Sequence, residues 1–224
     1  MKLSIIIPSY NEAATLPIII KRLKQVKLKA EKEVIVVDDG STDGTKKQLT
    51  KISGVTKVFL RQNRGKGAAV RAGLAKAAGD YILIQDADLE YDPQDISALL
   101  MPVLSGKAKV VYGSRFTGPH RNMLFWHLMG NKILSFTTNV LFNTTISDME
   151  VGYKLIPTKL LKSLSLKSDR FGFEPEVTAK ILKTGERIFE VPISYTGREF
   201  SEGKKITWKD GLESFYLLWK YRLA

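Results

Sequence analysis

One pattern constrains the fold more than any other, and it occurs three times in the first part of the chain. A short apolar run ends in acidic residues, and a turn-rich stretch then leads into a helix. Residues 3–8 run into Ser9-Tyr10-Asn11-Glu12, residues 34–37 into Asp38-Asp39-Gly40-Ser41-Thr42-Asp43-Gly44, and residues 81–85 into Asp86-Ala87-Asp88. Short β-branched runs bounded by polar residues read as buried strands. Strands alternating with helical stretches predict a mostly parallel sheet with helices on both faces. Open α/β sheets bind ligands at the carboxyl ends of their strands. Three acidic ends on one rim therefore predict a polar site. Asp86 and Asp88, two residues apart, can share one hard divalent cation, although the same spacing also suits an ordinary turn or helix cap.

The intervening stretches fit this frame. Helices are expected over residues 14–26, with Pro17 in the first turn, and over 45–52, capped by Asp43. Pro8 is expected to stop the first strand. A short strand is expected at 57–60. Asn63-Arg64-Gly65-Lys66-Gly67-Ala68-Ala69 opens a helix to about residue 78, and its glycines and basic residues suit an anion or simply a tight turn. A helix over 93–104, capped by Asp92, precedes a strand at 109–113 that ends in Ser114-Arg115. No GxGxxG follows the first strand, which disfavours a simple dinucleotide-binding enzyme.

Beyond residue 115 the character changes. Residues 121–142 are dense in Leu, Phe, Trp and Met, with Arg121 and Lys132 among them. Amphipathic helices of this composition suit either a membrane interface or a core, and we expect membrane contact. His120 and His127 are the only histidines, and the Gly118-Pro119 break argues against a shared metal site. Ser147–Lys154 leads into a short strand, then helices over 158–164 and 171–184, a strand at 187–192, a basic glycine-containing loop at 195–205 and a final helix over 208–221. The whole is expected to form a single domain, 1–224, with 1–115 on the ligand side of the rim and 116–224 supplying the membrane-interface part and a closing loop.

The net charge of +12 favours a polyanionic partner, or serves solubility. No nucleic-acid motif accompanies it, and no nucleic-acid partner is expected. There is no cysteine, hence no disulfide framework and no thiolate metal site. The first apolar run is too short for a signal peptide, and no membrane-spanning helix is expected.

Residues 5–12, Val36-Val37-Asp38-Asp39-Gly40-Ser41-Thr42-Asp43-Gly44-Thr45 and Asp86-Ala87-Asp88 together resemble family 2 glycosyltransferases of the GT-A fold. Within that family the chain looks most like the dolichyl-phosphate mannose or glucose synthases. Gly113-Ser114-Arg115, the 148–154 stretch and Glu190-Val191-Pro192-Ile193 support the likeness, which covers nearly the whole chain.

The resemblance implies a nucleotide pocket lined by Pro8, Tyr10, Glu12, Val37 and Asp39. It implies Mg²⁺ or Mn²⁺ and the donor diphosphate at Asp86, Ala87 and Asp88. Glu90 stands where the family often has Gln and is a third candidate metal ligand. Arg115 would meet the acceptor phosphate, and Arg198, Lys204 and Lys205 would close over the donor. Asp148 falls where the wider family carries a catalytic carboxylate, and both a base role and a positioning role stay open.

The implied activity is inverting transfer of a hexose from a nucleotide sugar, GDP-mannose favoured, to dolichyl or polyprenyl phosphate. The enzyme would sit peripherally on the cytoplasmic face of a membrane. Two alternatives are a family member using a sugar hydroxyl acceptor and a non-enzymatic membrane or nucleic-acid binder.

Overall fold

The computed structural model describes residues 1–198 and 208–223. Its centre is a seven-stranded sheet in the order β3-β2-β1-β4-β6-β5-β7. The strands are β1 (Lys2–Ser9), β2 (Glu31–Asp38), β3 (Thr56–Phe59), β4 (Tyr81–Ile84), β5 (Val110–Ser114), β6 (Lys154–Pro157) and β7 (Ile188–Pro192). Strands β1 to β4 are parallel, as are β5 and β7, and β6 runs antiparallel between β4 and β5. The expected α/β architecture is present, and one sheet runs across both halves of the chain.

The helices are α1 (Leu16–Gln25), α2 (Thr45–Lys51), α3 (Lys66–Leu74), α4 (Ile96–Leu104), α5 (Phe125–Phe142), α6 (Thr158–Ser163), α7 (Phe173–Lys183) and α8 (Trp208–Leu223). Strand β1 buries Leu3, Ile5, Ile6 and Ile7 completely, because helices cover both faces of the sheet. Leu16, Ile19, Ile20 and Leu23 form the buried stripe of α1, spaced to fall on one helical face. Asp92 caps a short 3-10 turn at Pro93–Asp95 by accepting from the Gln94 N–H, 3.0 Å away, and α4 follows directly.

Pro8 does not end β1, contrary to expectation. The strand continues to Ser9, with Pro8 opposite Val37 on β2. On the other side, pairing with β4 stops at Ile6, whose carbonyl accepts from the Gln85 N–H at 2.9 Å. Residues alternate sides along a strand, so the N–H that Pro8 lacks would face the side β4 has already left. No ladder bond is lost.

The 121–142 stretch forms one long helix, α5, starting only at Phe125. His120 lies before it, with Nδ1 2.8 Å from the Gly118 carbonyl oxygen, so the two histidines do not share a helical face. One side of α5 packs on α7 and α8 through a small second core of Leu134, Ile146, Met149, Ala179 and Leu218. The other side leaves Phe125, Trp126, Ile133, Phe136 and Val140 exposed, Trp126 at 81%. Among the described residues no helix is long and apolar enough to cross a membrane.

Candidate active site

The carboxyl ends of β1 and β2 are tied together by short polar bonds. Asn11, at φ 53°, accepts from the Thr42 N–H at 2.9 Å and donates its own N–H to Ser41 Oγ at 3.0 Å. The Glu12 N–H meets Thr45 Oγ1 at 2.9 Å. The N-cap of α2 is Gly44 rather than the expected Asp43; Asp43, one residue earlier, accepts from the Thr45 N–H at 2.9 Å.

Asp39 then anchors the loop into α3. It accepts from the N–H groups of Arg64 at 2.9 Å and Gly65 at 2.7 Å, and from Asn63 Nδ2 at 3.1 Å. Burial still raises its carboxyl above the ordinary value, against those two backbone donors. The glycine-rich turn therefore turns its N–H groups toward the protein's own carboxylate.

At the end of β4, Asp86 pairs with Lys66 Nζ at 2.8 Å. The same ammonium reaches Glu174 on α7 at 2.9 Å, and the fully buried Lys154 approaches Glu174 from the other side at 3.3 Å. Burial alone would lower Lys66, but Asp86 and Glu174 hold it well above its ordinary value. For Lys154 burial wins and its pKa falls.

Asp88 pairs with Arg198 at 2.9 Å. The Arg198 guanidinium also lies 3.3 Å from Glu90 and 3.5 Å from Glu12. Both Glu90 oxygens are engaged. Oε1 takes the Arg198 N–H at 3.0 Å and Oε2 takes the Tyr195 hydroxyl at 3.0 Å. Burial first, then the neighbouring Asp86 and Glu90, push the Asp88 carboxyl up to about 7.

Arg115, at the end of β5, is gripped by Asp148. Nε–Oδ2 and Nη2–Oδ1 are each 2.7 Å, and the Arg115 N–H adds a third bond at 3.0 Å. Asp148 is fully buried. Glu190 on β7 holds that turn, accepting from the N–H groups of Ser147 at 2.8 Å and Asp148 at 3.2 Å. The Arg115 guanidinium carbon lies 5.2 Å from the Tyr195 ring centre.

A cavity of about 910 Å³ joins these parts. Its wall runs from Pro8, Tyr10, Glu12 and Asp39, past Asp86, Ala87, Asp88 and Glu90, to Arg115 and Arg198. It continues to Leu124 and Trp126 at the start of α5 and to Gly211 and Ser214 on α8. Ten of the expected site residues thus share one cavity wall. Val37 is fully buried inside β2, and Asp148 lies behind Arg115; neither is part of that wall. Lys204 and Lys205 fall outside the described residues.

Among the described residues no group of three or more His, Cys, Asp or Glu is arranged to hold a metal ion by itself. Asp86 and Asp88 nonetheless fit Mg²⁺ or Mn²⁺. Such cations are typically bound through one or two carboxylates and completed by substrate phosphates and water. Four carboxylates, Glu12, Asp86, Asp88 and Glu90, face only the cations Lys66 and Arg198 among these contacts, and a divalent cation would offset that excess.

Four charges here were not singled out from the sequence: Lys154 and Glu174, which are buried, and Lys66 and Glu150, which are half-buried. Lys66 stood in the glycine-rich turn read as an anion seat. Glu174 stood in the first turn of a helix, where acidic residues are ordinary. Nothing in the local pattern marks either as withdrawn from solvent.

The mostly parallel sheet with its polar rim has the GT-A fold, as its structural neighbours show. Residues 4–165 match the model of Glycosyl transferase family 2, and the chain belongs to that family. An undecaprenyl-phosphate mannosyltransferase of Micrococcus luteus is 30% identical over 218 residues, covering 91% of this chain and 87% of that protein. A polyprenol monophosphomannose synthase of Mycolicibacterium smegmatis is 31% identical, covering 89% and 79%. A UDP-N-acetylglucosamine–dolichyl-phosphate N-acetylglucosaminyltransferase of Methanococcus voltae is 29% identical, covering 96% and 93%. Glucosyl-3-phosphoglycerate synthase of Mycobacterium tuberculosis, solved with Mn²⁺, UDP and glucosyl-3-phosphoglycerate, superposes with a TM-score of 0.76 at 21% identity, covering 98% of this chain and 79% of that one.

Proposed function

We propose that this glycosyltransferase moves a hexose from a nucleotide sugar to a polyprenyl phosphate at a membrane surface. The observation that carries the reading is the continuity of one cavity. Acidic strand ends suited to a metal-bound diphosphate, an arginine suited to a phosphate and the apolar start of α5 all line it. GDP-mannose is the favoured donor, since two of the three relatives above are named for mannose or phosphomannose.

The residues divide the work by position. Pro8, Tyr10, Glu12 and Asp39 line the nucleotide end. Asp86 and Asp88 would hold Mg²⁺ or Mn²⁺, which when bound would offset charge on the departing diphosphate. Arg198 adds positive charge from the same side, and Lys204 and Lys205, further along the sequence, are proposed to do the same. Arg115, fixed by Asp148, orients the acceptor phosphate. That phosphate is already ionised near neutral pH, so its oxygen needs no strong general base. Both Asp148 oxygens are committed to Arg115, which supports a positioning role. Attack opposite the leaving group inverts the anomeric centre.

The exposed faces of α5 and α8 support a peripheral membrane location, and the cytoplasmic face is the side proposed. Phe125, Trp126 and Phe136 on α5, and Leu212, Tyr216 and Trp219 on α8, are exposed. Lys220 and Arg222 stand in the last turn of α8. Aromatic and aliphatic side chains bordered by basic ones suit an anionic lipid interface.

The test is to incubate the protein with Mg²⁺ or Mn²⁺, undecaprenyl or dolichyl phosphate, and a panel of GDP-mannose, UDP-glucose and UDP-N-acetylglucosamine. Mass spectrometry then identifies the lipid product. A hexosyl phospholipid from one donor is expected. Transfer to a soluble sugar but to no lipid phosphate would overturn the acceptor assignment.

A further inference from the structure

Glu150 lines the same cavity and has no part in the reaction described so far. Its Oε1 is buried and, among the described residues, accepts no hydrogen bond, while the side chain is bonded to Ser214 on α8. A buried carboxylate oxygen without a partner is costly, so one that persists beside a binding cavity calls for a ligand.

The chain around Glu150 fixes its place. Two residues before it, Asp148 grips Arg115 at 2.7 Å. Two residues after it, Gly152 abuts Asp86 so closely that a Cβ would fall 2.5 Å from Asp86 Oδ2. Gly152 is also pinned by its N–H to Tyr91 Oη at 3.0 Å. Two residues of chain span at most roughly 7 Å. Glu150 is therefore held between the acceptor-side arginine and the donor-side aspartate. In an in-line displacement the transferred sugar occupies that interval, because its anomeric carbon lies between the attacking and the leaving oxygen.

The charge around Glu150 narrows the ligand further. Burial and Glu174 push its carboxyl up to about 7, against Lys154 and Arg115. A phosphate would add to this repulsion, whereas a neutral hydroxyl donor relieves the unpartnered oxygen without adding charge.

We propose that Glu150 accepts a hydrogen bond from a hydroxyl of the transferred hexose and so sets which sugar the enzyme uses. The assignment rests on the nucleotide-sugar reading given above. A site built to bond a substrate hydroxyl rejects analogues that present it wrongly, because the buried partner is then left unpaired.

Calorimetry with Mg²⁺ tests it, using GDP and UDP alongside GDP-mannose, UDP-glucose and UDP-N-acetylglucosamine. Wild type is compared with Glu150→Ala and Glu150→Gln. For the nucleotide sugar that wild type binds, Glu150→Ala should lose about tenfold in affinity while the matching bare nucleotide is unaffected. Glu150→Gln, which keeps an acceptor oxygen, should recover part of that loss. Equal weakening of nucleotide and nucleotide sugar would assign Glu150 a structural role and overturn the proposal, and so would no change in either. Wild type binding none of the nucleotide sugars would overturn the donor reading itself, and this assignment with it.

Discussion

Arg115 and Asp148 form a buried two-pronged ion pair, with Nε–Oδ2 and Nη2–Oδ1 both at 2.7 Å. Paired this way, the aspartate fixes the direction of the guanidinium, and the third bond from the Arg115 N–H leaves Asp148 little freedom. Truncating one partner of a buried pair strands the other charge. Asp148→Ala is expected to lose about 3–5 kcal/mol of stability in urea denaturation. Asp148→Asn, which keeps the side chain's shape and one acceptor oxygen, should raise KM for polyprenyl phosphate more than it lowers kcat. A fall in kcat alone, with acceptor KM unchanged, would point to a base role instead.

Asp88 is crowded by Asp86 and Glu90, so removing its charge relieves repulsion in the metal-free protein. Asp88→Ala should therefore leave thermal stability without metal unchanged or slightly raised. Metal-dependent transfer should fall by at least about a hundredfold. Near-normal turnover would remove Asp88 from the metal site.

The same crowding gives a pH signature. With its carboxyl pushed from the ordinary 3.8 up to about 7, Asp88 keeps its proton in the folded chain after the unfolded chain has released it. The folded state binds more protons in that window, so this group lowers stability as the pH rises from about 4 to about 7. Mg²⁺ or Mn²⁺ competes with that proton. The rise in Tm on adding the cation should be small near pH 5 and larger near pH 8. A cation effect independent of pH would contradict this, and scanning calorimetry decides it.

Trp126 and Phe136 point away from the small core under α5, at 81% and 69% exposure. Burying each in a lipid interface is worth on the order of 1.5–3 kcal/mol. Replacing both with serine should weaken sedimentation with anionic vesicles at least about tenfold. Circular dichroism and Tm should stay unchanged, since neither side chain is in the core. Unaltered vesicle binding would remove α5 from the interface.

The strands β1, β2 and β4 were legible because each is an apolar run too short for a helix and bounded by turn residues. The acidic ends followed directly, and the cavity wall gathers Asp39, Asp86 and Asp88 as the spacing implied. Pro8 misled, because its effect depends on which side of β1 is paired, and that is a tertiary fact. The antiparallel placement of β6 was invisible for the same reason, since four residues carry no sign of their partner or direction. Glu90 carried no sign that both its oxygens are used by the chain that follows β7. Lys66, Glu150 and Glu174 were missed because the withdrawal of a charge from solvent depends on residues far away in sequence.

The antiparallel strand between β4 and β5 also bears on how the enzyme is made. During synthesis the edge of β4 that will meet β6 stays bare until the chain has been extended past Pro157. An unpaired strand edge is a template for association with other chains. A nascent chain halted within α5 already holds Asp86, Asp88 and Arg115, yet lacks the strand that sets the aspartates and the arginine at their working separation. Strand β6 is thus the only link in the described sheet between the strand that carries the aspartates and the strand that carries the arginine.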